Sequence, residues 1–539
     1  NLADTMLLSG NEAVALAAFK AGVALGAGYP GTPSTEILEN FSKLGGYAQW
    51  SPNEKVALEV AIGAAFANVR AIATMKHVGL NVAADPLFTA AYTGVEGALV
   101  IVSADDPGMA SSQNEQDNRR FAEAAGIPML EPSDSKEAFE FTIRALETSE
   151  RWKIPVMLRM TTRICHSKSL VHVWEVPSKE VKPGFQRDIK GRVMVPAFAK
   201  LAHRRLRQKL AQIALWNETS GLNVAYKGKP SLGIVSSGIA FMHAREAAPE
   251  ASILKLGMSY PLPIETVRAF VRPLERCMVI EEGDPFLETA IRAQGIRIEG
   301  KPEMYRFGEL TVPRVMRILQ GDMSPEVAPK PGKPPELCPG CPHRAVFAIL
   351  KELDCIVAGD IGCYTLGALE PFGAMDTCVC MGASIGVGLG LRHALPKEQA
   401  KRVVSVIGDS TFIHSGITGL IDMVYNKPAT GHVVLILDNG TTAMTGMQEH
   451  PGTGRRLDSS PSVKLFPEEI ARSMGIESVH VMDPAKDKEA FKRQLSGLLE
   501  KTEPAVLIAR RECVLAARKN KQSINCHDNG HSEKQSFLV

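Results

Sequence analysis

Two short apolar runs, each followed at once by polar residues, constrain the fold of this chain more than any other feature. Residues 403–407 have the composition of a fully buried strand and end in Gly-Asp-Ser at 408–410. Residues 433–437 repeat the pattern and end in Asp-Asn-Gly at 438–440. Continuous apolar strands are typical of parallel sheets covered on both faces, and ligands bind at the carboxyl edge of such sheets. The sequence therefore predicts an α/β fold with oxygen-bearing side chains at one sheet edge.

Apolar runs alternate with amphipathic segments through most of the 539 residues, so we predict several doubly wound parallel-sheet domains. A chain of this length is too long for one core. Helical spacing at 196–216 predicts a connector helix, and its basic stretch at 203–207 is interpreted as a solvated face. The predicted division is a first α/β domain at 1–190, the connector at 191–228, a small α/β domain at 229–322, a Pro-rich linker at 323–335, a third α/β domain at 336–515 and a polar tail at 516–539.

The charge balance argues against a nucleic-acid or membrane partner. Sixty-one basic and 59 acidic residues leave a net charge of +2, which creates no global field for polyanions. No apolar run is long enough to span a bilayer, and the start of the chain lacks the layout of a signal peptide. We therefore expect a cytoplasmic protein. In that compartment ten cysteines indicate ligands or redox groups rather than disulfides.

The polar residues after the two strands predict a metal and phosphate site. Asp409 and Asn439, thirty positions apart, offer the hard oxygen ligands that Mg²⁺ prefers beside phosphates. A single Gly-Asp after a strand is a common turn, but the pair resembles the diphosphate-binding signature of thiamine diphosphate enzymes. The resemblance implies that Asp409, Asn439 and the Thr441 carbonyl hold Mg²⁺ against the diphosphate. Gly408, Ser410 and Met444 are assigned to cofactor binding on the same resemblance, with Ser410 in place of the usual glycine.

Thiamine chemistry also needs a carboxylate at the pyrimidine, and residues 53–65 have the form of the helix that carries it. Glu54, at the start of this helix, is the candidate, while Glu59 further along is the alternative. A helix-stabilising role for Glu54 at the N-terminus is the simpler interpretation of the residue alone. Thr32, in a loop that opens a helix, and His77, after a strand, are the other candidate catalytic residues. A structural role for His77 is equally compatible with the sequence.

Four cysteines are candidates for a metal centre. A Cys-Pro-Gly-Cys turn is followed by one cysteine in Gly-Cys and by another far downstream. Four thiolates suit a structural zinc ion or an iron–sulfur cluster, and spacing alone does not decide between them. The four candidates are Cys338, Cys341, Cys363 and Cys513, with Cys378 and Cys380 as possible competitors.

Together these residues resemble the thiamine diphosphate-dependent 2-oxo acid:ferredoxin oxidoreductases, and within them the large subunits of the indolepyruvate group. The resemblance extends to about residue 515. It implies pyrimidine-binding (1–190), middle and diphosphate-binding (336–515) domains, and a [4Fe-4S] cluster on the four cysteines. It also implies oxidative decarboxylation of a 2-oxo acid, of the aryl-pyruvate class, to an acyl-coenzyme A. The expected partners are a smaller subunit and ferredoxin or another electron acceptor.

The end of the sequence departs from the family pattern. Large subunits of this type usually end in a ferredoxin-like segment rich in Cys-x-x-Cys runs, whereas residues after 515 contain Cys526 and His527 and no such run. We therefore expect the chain to pass electrons directly to a partner. Two alternatives remain open at this point. One is a non-redox thiamine diphosphate lyase, and the other is a scaffold subunit that has lost activity.

Overall fold

A computed structural model describes residues 4–177, 182–327 and 334–519. The chain divides into two compact units, Asn1–Ala328 and Pro329–Val539. Within the described residues, no helix combines the length and apolarity needed to cross a membrane. Residues 520–539 of the predicted polar tail, including Cys526 and His527, lie outside the described residues.

The first unit begins with an α/β segment that ends in the connector helix. Its strands are β1 (Asp4–Ser9), β2 (Leu25–Gly28), β3 (Ala48–Trp50), β4 (Arg70–Lys76), β5 (Ala98–Asp105), β6 (Met129–Leu130), β7 (Val156–Thr161) and β8 (Lys168–Val173). Its helices are α1 (Gly10–Lys20), α2 (Thr35–Lys43), α3 (Glu54–Phe66), α4 (His77–Val82), α5 (Ala84–Thr93), α6 (Arg119–Ala125), α7 (Ser135–Trp152), α8 (Thr162–His166), α9 (Ile189–Arg192) and α10 (Pro196–Asn217). The helix predicted at 196–216 is therefore confirmed as α10, while its role as a connector between domains stays a prediction.

The rest of the first unit forms a smaller sheet. Its strands are β9 (Val224–Tyr226), β10 (Lys229–Ser236), β11 (Ala251–Lys255), β12 (Met258–Tyr260) and β13 (Cys277–Ile280). Its helices are α11 (Gly238–Ala247), α12 (Ile264–Val271), α13 (Leu287–Arg292) and α14 (Val312–Gln320). The four-stranded sheet has the order β13-β10-β11-β9, with β9 antiparallel to β11. Strand β12 instead joins the larger sheet, antiparallel to β6, which the sequence did not predict.

The larger sheet of the first unit has seven strands in the order β12-β6-β7-β5-β4-β2-β3. Strands β5 and β7 are buried along their whole length, as is typical of strands in a parallel sheet covered on both faces. From β2 the chain continues into β3, which lies next to β2 on one side, and then into β4, which lies next to β2 on the other side. Strand order reverses at this point, so the loops after β2 and β4 flank the crevice in which open α/β sheets bind ligands.

The second unit contains β14 (Ile356–Gly359), β15 (Thr377–Cys378), β16 (Val403–Gly408), β17 (His432–Asp438), β18 (Ser478–Met482) and β19 (Pro504–Arg510). Its helices are α15 (His343–Glu352), α16 (Ala383–Ala394), α17 (Lys397–Ala400), α18 (Asp409–Thr411), α19 (Ile417–Tyr425), α20 (Pro467–Ser473) and α21 (Lys488–Leu499), with a π-helical stretch at Phe412–Gly416. The buried strands predicted at 403–407 and 433–437 are confirmed as β16 and β17.

The second unit has one six-stranded sheet, all of whose pairings are parallel, in the order β15-β14-β16-β17-β19-β18. Two apolar clusters cover its faces, one around Phe347 and the other around Phe412. The chain runs from β14 to β15 on one side and to β16 on the other. The loops after β14 and β16 therefore flank the strand-order reversal of this sheet, and these loops carry Cys363 and Asp409.

The predicted α/β fold of parallel sheets is confirmed. Three features were not predicted: the antiparallel edge strands β9 and β12, and the antiparallel ribbon of β1 with β8. All three involve strands whose position depends on long-range pairing rather than on local periodicity. The division into six segments remains a prediction.

Candidate functional site

Asp409 lies at the end of β16, where the strand turns into α18. Its side chain is buried, and its Oδ2 accepts a hydrogen bond from the Gly440 N–H at 2.9 Å. His450 lies beside it, with Nε2 3.3 Å from the same oxygen. Burial raises the pKa of Asp409, but His450 and the N–H groups of Ser410 and Gly440 outweigh it and hold the pKa below its usual value. The carboxylate is thus kept ionised, as a metal ligand requires.

Asn439 follows β17 and is fixed at both ends of its amide. Its Oδ1 accepts from the Thr441 N–H at 3.2 Å, and its Nδ2 donates to Nε2 of His343 at 3.4 Å. His343 is buried, and burial lowers its pKa to about 4, so the ring is neutral and can accept. The Asn439 amide oxygen, the Thr441 backbone and Asp409 together provide hard oxygen donors of the kind Mg²⁺ prefers. The residues present therefore fit a magnesium–diphosphate site.

Gly408 and Ser410 flank Asp409 and differ in whether their position can accommodate a side chain. A Cβ on Gly408 would lie 2.7 Å from a ring carbon of Tyr364, so only glycine fits there. Ser410 lies within α18, where the backbone is helical and needs no glycine. Its hydroxyl lies 2.9 Å from the Thr442 hydroxyl, which accounts for serine at this position. Met444 is exposed in a 3-10 turn, and its predicted role in cofactor binding stays a prediction.

A second carboxylate, Asp438, lies next to Asp409 and was not singled out from the sequence. Burial and then the negative charge of Asp409 raise the pKa of Asp438, while an ion pair with Arg510 at 2.7 Å opposes the rise. His450 was also missed. Its Nδ1 accepts from the Gly452 N–H at 3.1 Å, so the ring proton is on Nε2, facing Asp409. The only local signal was its place in a His-Pro-Gly turn, which does not indicate a partner 41 residues away.

The four candidate cysteines lie around this edge of the six-stranded sheet. Cys338 and Cys341 form a turn, with the Cys341 N–H donating to the Cys338 carbonyl at 3.0 Å, immediately before α15. Cys363 opens the 3-10 helix after β14. Cys513 follows β19, and its N–H donates to the Asn439 carbonyl at 3.0 Å. The backbone at Cys513 is therefore in direct contact with that of Asn439, a proposed magnesium ligand.

The thiols are near enough to influence one another. Burial, followed by the negative charges of Cys513, Cys341 and Cys338, raises the pKa of Cys363 to about 11. Burial also raises the pKa of Cys341, opposed by a hydrogen bond from the His343 N–H. Mutual repulsion of this kind would be relieved if the thiolates bound a cationic centre, and four cysteines are the donor type that iron–sulfur clusters use. In the parts of the chain that the structure describes, no three His, Cys, Asp or Glu residues are arranged around a single-ion site.

The remaining described cysteines differ in exposure. Cys165 and Cys277 are buried, and Cys355 is half-buried. Cys378 and Cys380, the possible competing ligands, are exposed.

Glu54 is the first residue of α3, in the first unit. The Asn53 side chain caps the helix by accepting from the Val56 N–H at 3.0 Å. Glu54 is only 3% exposed, and a Cβ on Gly79 would lie 2.7 Å from its Oε1, so α4 packs directly on the carboxylate. Glu59 is exposed and paired with Lys55. Burial thus separates the candidate from its alternative, because a buried carboxylate at a helix start is the form suited to a cofactor contact.

Lys76, which ends β4, brings Glu54 and the Thr32 loop together. Burial lowers the pKa of Lys76, while the negative charges of Asp106 and Glu54 oppose the shift. A Cβ on Gly31, next to Thr32, would lie 3.0 Å from the Lys76 side chain. These groups flank the strand-order reversal of the seven-stranded sheet, so Lys76 is a candidate site residue that the sequence analysis did not name.

His77 is fully buried at the start of α4. Its Nε2 donates to the Asn114 carbonyl at 2.9 Å, and among the described residues its Nδ1 has no hydrogen-bond partner. Burial lowers its pKa, so the ring is neutral. The Asn118 side chain also donates to the His77 carbonyl at 3.2 Å. These contacts tie α4 to the segment before α6 and favour a positioning role, while the predicted catalytic role remains a prediction.

Two protein-family models match the chain, one within each of its two units. Residues 16–211 match the family described as pyruvate flavodoxin/ferredoxin oxidoreductase, thiamine diphosphate-binding. Residues 360–509 match the C-terminal thiamine pyrophosphate-binding domain of thiamine pyrophosphate enzymes. The chain is thus a thiamine diphosphate-dependent enzyme of the 2-oxo acid:ferredoxin oxidoreductase class.

Full-length relatives narrow the class. The chain is 39% identical to the indolepyruvate oxidoreductase subunit IorA of Archaeoglobus fulgidus, over 95% of this chain and 87% of the relative. It is 41% identical to the same subunit of Methanothermobacter thermautotrophicus, over 95% and 88%. The chain belongs to the family of indolepyruvate oxidoreductase subunit IorA. Among solved structures it is similar to a 2-oxoglutarate:ferredoxin oxidoreductase from Magnetococcus marinus, at 18% identity over 60% of this chain and 66% of that chain, with a TM-score of 0.49.

Proposed function

We propose that this chain oxidatively decarboxylates an aryl-pyruvate such as indolepyruvate to an acyl-coenzyme A, and passes the electrons through a [4Fe-4S] cluster to ferredoxin or another acceptor. A smaller subunit would complete the enzyme. The observation that carries the proposal is the contact of the Cys513 backbone with that of Asn439, a proposed magnesium ligand, since the Cys513 N–H bonds to the Asn439 carbonyl at 3.0 Å. A cluster bound by these cysteines would therefore lie beside the residues proposed to hold the cofactor.

In the second unit, Asp409, Asn439 and Thr441 would hold Mg²⁺ against the diphosphate. His343 accepts from the Asn439 amide at 3.4 Å, which turns the amide oxygen away from the ring and leaves it for the metal. His450 keeps Asp409 ionised. These contacts preorganise the ligands before the metal arrives, and so reduce the free-energy cost of ordering them on binding.

In the first unit, Glu54 would hydrogen-bond the pyrimidine of the cofactor. Bound thiamine diphosphate supplies a carbon nucleophile for the 2-oxo carbon and accepts the electron pair that decarboxylation leaves behind. Burial of Glu54 against Gly79 excludes water from the carboxylate, which strengthens a hydrogen bond to it. Lys76 and the Thr32 loop offer a cation and a hydroxyl to a substrate carboxylate.

The thiols of Cys338, Cys341, Cys363 and Cys513 would bind the cluster. Iron is favoured over zinc because removal of electrons one at a time requires a redox-active centre, which zinc is not. The His343 N–H that lies on the Cys341 thiol belongs to the residue whose ring contacts Asn439. One residue thus touches both proposed centres.

The substrate follows from the relatives, whose name states that they act on indolepyruvate. We extend that substrate, coenzyme A and the partner subunit to this chain as parts of the proposal. The decisive experiment combines the chain, produced anaerobically, with its smaller subunit and assays a panel of 2-oxo acids. The measured quantity is reduction of a one-electron viologen dye with and without coenzyme A.

Dye reduction that requires both an aryl-pyruvate and coenzyme A is the expected result. Release of an aldehyde without dye reduction would instead identify a non-redox lyase. Binding of thiamine diphosphate without turnover of any 2-oxo acid would identify a scaffold subunit. Preference for pyruvate or 2-oxoglutarate over aryl-pyruvates would contradict the substrate assignment alone.

A further inference from the structure

The connector helix α10 carries an unusual concentration of positive charge. Its 22 residues include five Lys or Arg residues and no Asp or Glu. Across residues 4–177, 182–327 and 334–519, none of these five side chains lies within 4.0 Å of a carboxylate. Unbalanced charges of one sign repel and destabilise a compact state. The five residues are Lys200, Arg204, Arg205, Arg207 and Lys209.

Two of these cations line a cavity of about 270 Å³ in the first unit. Arg205 and Lys209 contribute from α10, Lys190 from α9, and the end of α5 closes one wall. Among the described residues that line the cavity, Asp188 is the only carboxylate, and it is engaged with its own helix, since it accepts from the Gly191 N–H at 2.9 Å. Three cations and one carboxylate leave the cavity with two uncompensated positive charges.

Glu96, two residues after the end of the cavity wall at Gly94, is already paired. Glu96 forms an ion pair with Arg192 at 2.7 Å. Lys209 is half-buried, and its Nζ donates to the Lys153 carbonyl at 3.0 Å. Burial, followed by the positive charge of Arg205, lowers the pKa of Lys209. An anion in the cavity would relieve this repulsion, which no side chain that lines the cavity in the described part of the chain does.

We propose that this cavity binds a phosphate group, either as inorganic phosphate or as part of a phosphorylated metabolite. A guanidinium and two ammonium groups around a concave site match the several acceptor oxygens of a phosphate dianion. The volume is slightly below that of pockets that enclose drug-sized ligands, which suits a phosphate with a small attached group. None of the lining residues belongs to the site of Glu54 or to that of Asp409.

The competing occupant is the acidic surface of a protein partner laid along α10. Such a surface would use the cations outside the cavity as well as those inside it. Two double variants separate these cases because each removes two charges from the same helix: Arg205→Gln with Lys209→Gln inside the cavity, and Arg204→Gln with Arg207→Gln outside it.

The test is isothermal titration of the full chain with inorganic phosphate and with ADP, at constant ionic strength. Saturating thiamine diphosphate and Mg²⁺ are present throughout, so that the proposed diphosphate site does not bind the probes. The wild-type chain should bind at least one probe, and the cavity variant should bind it at least about tenfold more weakly, as expected for loss of charge-assisted bonds. The variant outside the cavity should bind it as the wild type does.

The two probes identify the source of the phosphate. Tighter binding of ADP assigns the site to a phosphorylated metabolite, and equal binding assigns it to the phosphate group alone. Equal weakening in both double variants would overturn the proposal in favour of a general electrostatic surface. Absence of binding by the wild-type chain at millimolar phosphate and ADP would overturn it as well. The comparison of variants holds whether or not the proposed function is correct, because neither pair touches Glu54 or Asp409.

Discussion

His432, the first residue of β17, makes the stability of the second unit depend on pH. It is fully buried, with Nε2 2.7 Å from the Ser405 hydroxyl. Because that hydroxyl donates to the Ser384 carbonyl at 2.8 Å, the ring proton must lie on Nε2. Burial, followed by the positive charges of Arg392 and His393, lowers the pKa of His432 to about 3. The folded protein therefore keeps this ring neutral through the mildly acidic range.

The sign and size of the effect follow from this pKa. In the unfolded chain the histidine binds a proton near pH 6.5, whereas in the folded chain it does so only near pH 3. The stabilising contribution of the neutral ring is complete above pH 6.5 and is lost as the pH falls towards 3. One proton gives a slope of about 1.4 kcal/mol per pH unit, or about 2 kcal/mol lost by pH 5.

The variant His432→Gln removes the titrating ring. Between pH 6 and pH 4.5, the slope of its free energy of unfolding against pH should be smaller than that of the wild type by about 1.4 kcal/mol per pH unit. Urea unfolding followed by hydrogen exchange of the β16 and β17 amides measures the second unit. All four tryptophans lie between residues 50 and 216, so their fluorescence reports the first unit and should not change. His203→Gln, which removes an exposed histidine on α10 of the first unit, is the control. An unchanged slope in His432→Gln would refute the reasoning.

Three further predictions test the proposed function. Glu54→Gln should keep diphosphate binding but lose turnover by about a hundredfold or more. Glu59→Gln, on the exposed side of α3, is the control and should keep the wild-type rate. Normal turnover in Glu54→Gln would show that another residue activates the cofactor. Asp409→Ala should weaken thiamine diphosphate binding at least about tenfold by calorimetry, and only partial rescue by excess Mg²⁺ is expected. Protein purified anaerobically should contain about four irons per chain. Cys363→Ala should lose this iron, and Cys380→Ala should keep it. Finding about one zinc per chain and no labile sulfide would exclude the cluster.

Local patterns were sufficient to predict much of the fold. The runs at 403–407 and 433–437 are buried strands in the structure because runs that are apolar at nearly every position suit a strand covered on both faces. The connector helix was predictable from its spacing and from Pro196 in its first turn. Pairing across long distances was not predictable. Strand β12 follows β11 in sequence but pairs with β6 of the other sheet, since two or three residues carry no signal that selects between two open edges.

The sequence by itself also determined which residue types could do the chemistry: an acid and an amide after parallel strands, a carboxylate at a helix start, and four thiols. These positions follow from local secondary structure, because the end of a strand or the start of a helix fixes where its side chains lie independently of distant parts of the chain. Only the tertiary structure decided which of them meet. The contacts of His343 and Cys513 with Asn439 join segments 96 and 74 residues apart, and burial distinguishes Glu54 from Glu59. Such contacts depend on the order of the strands and on how the helices pack over the sheet. Because burying a polar group without a hydrogen bond costs free energy, the folded chain brings together groups that can bond to each other.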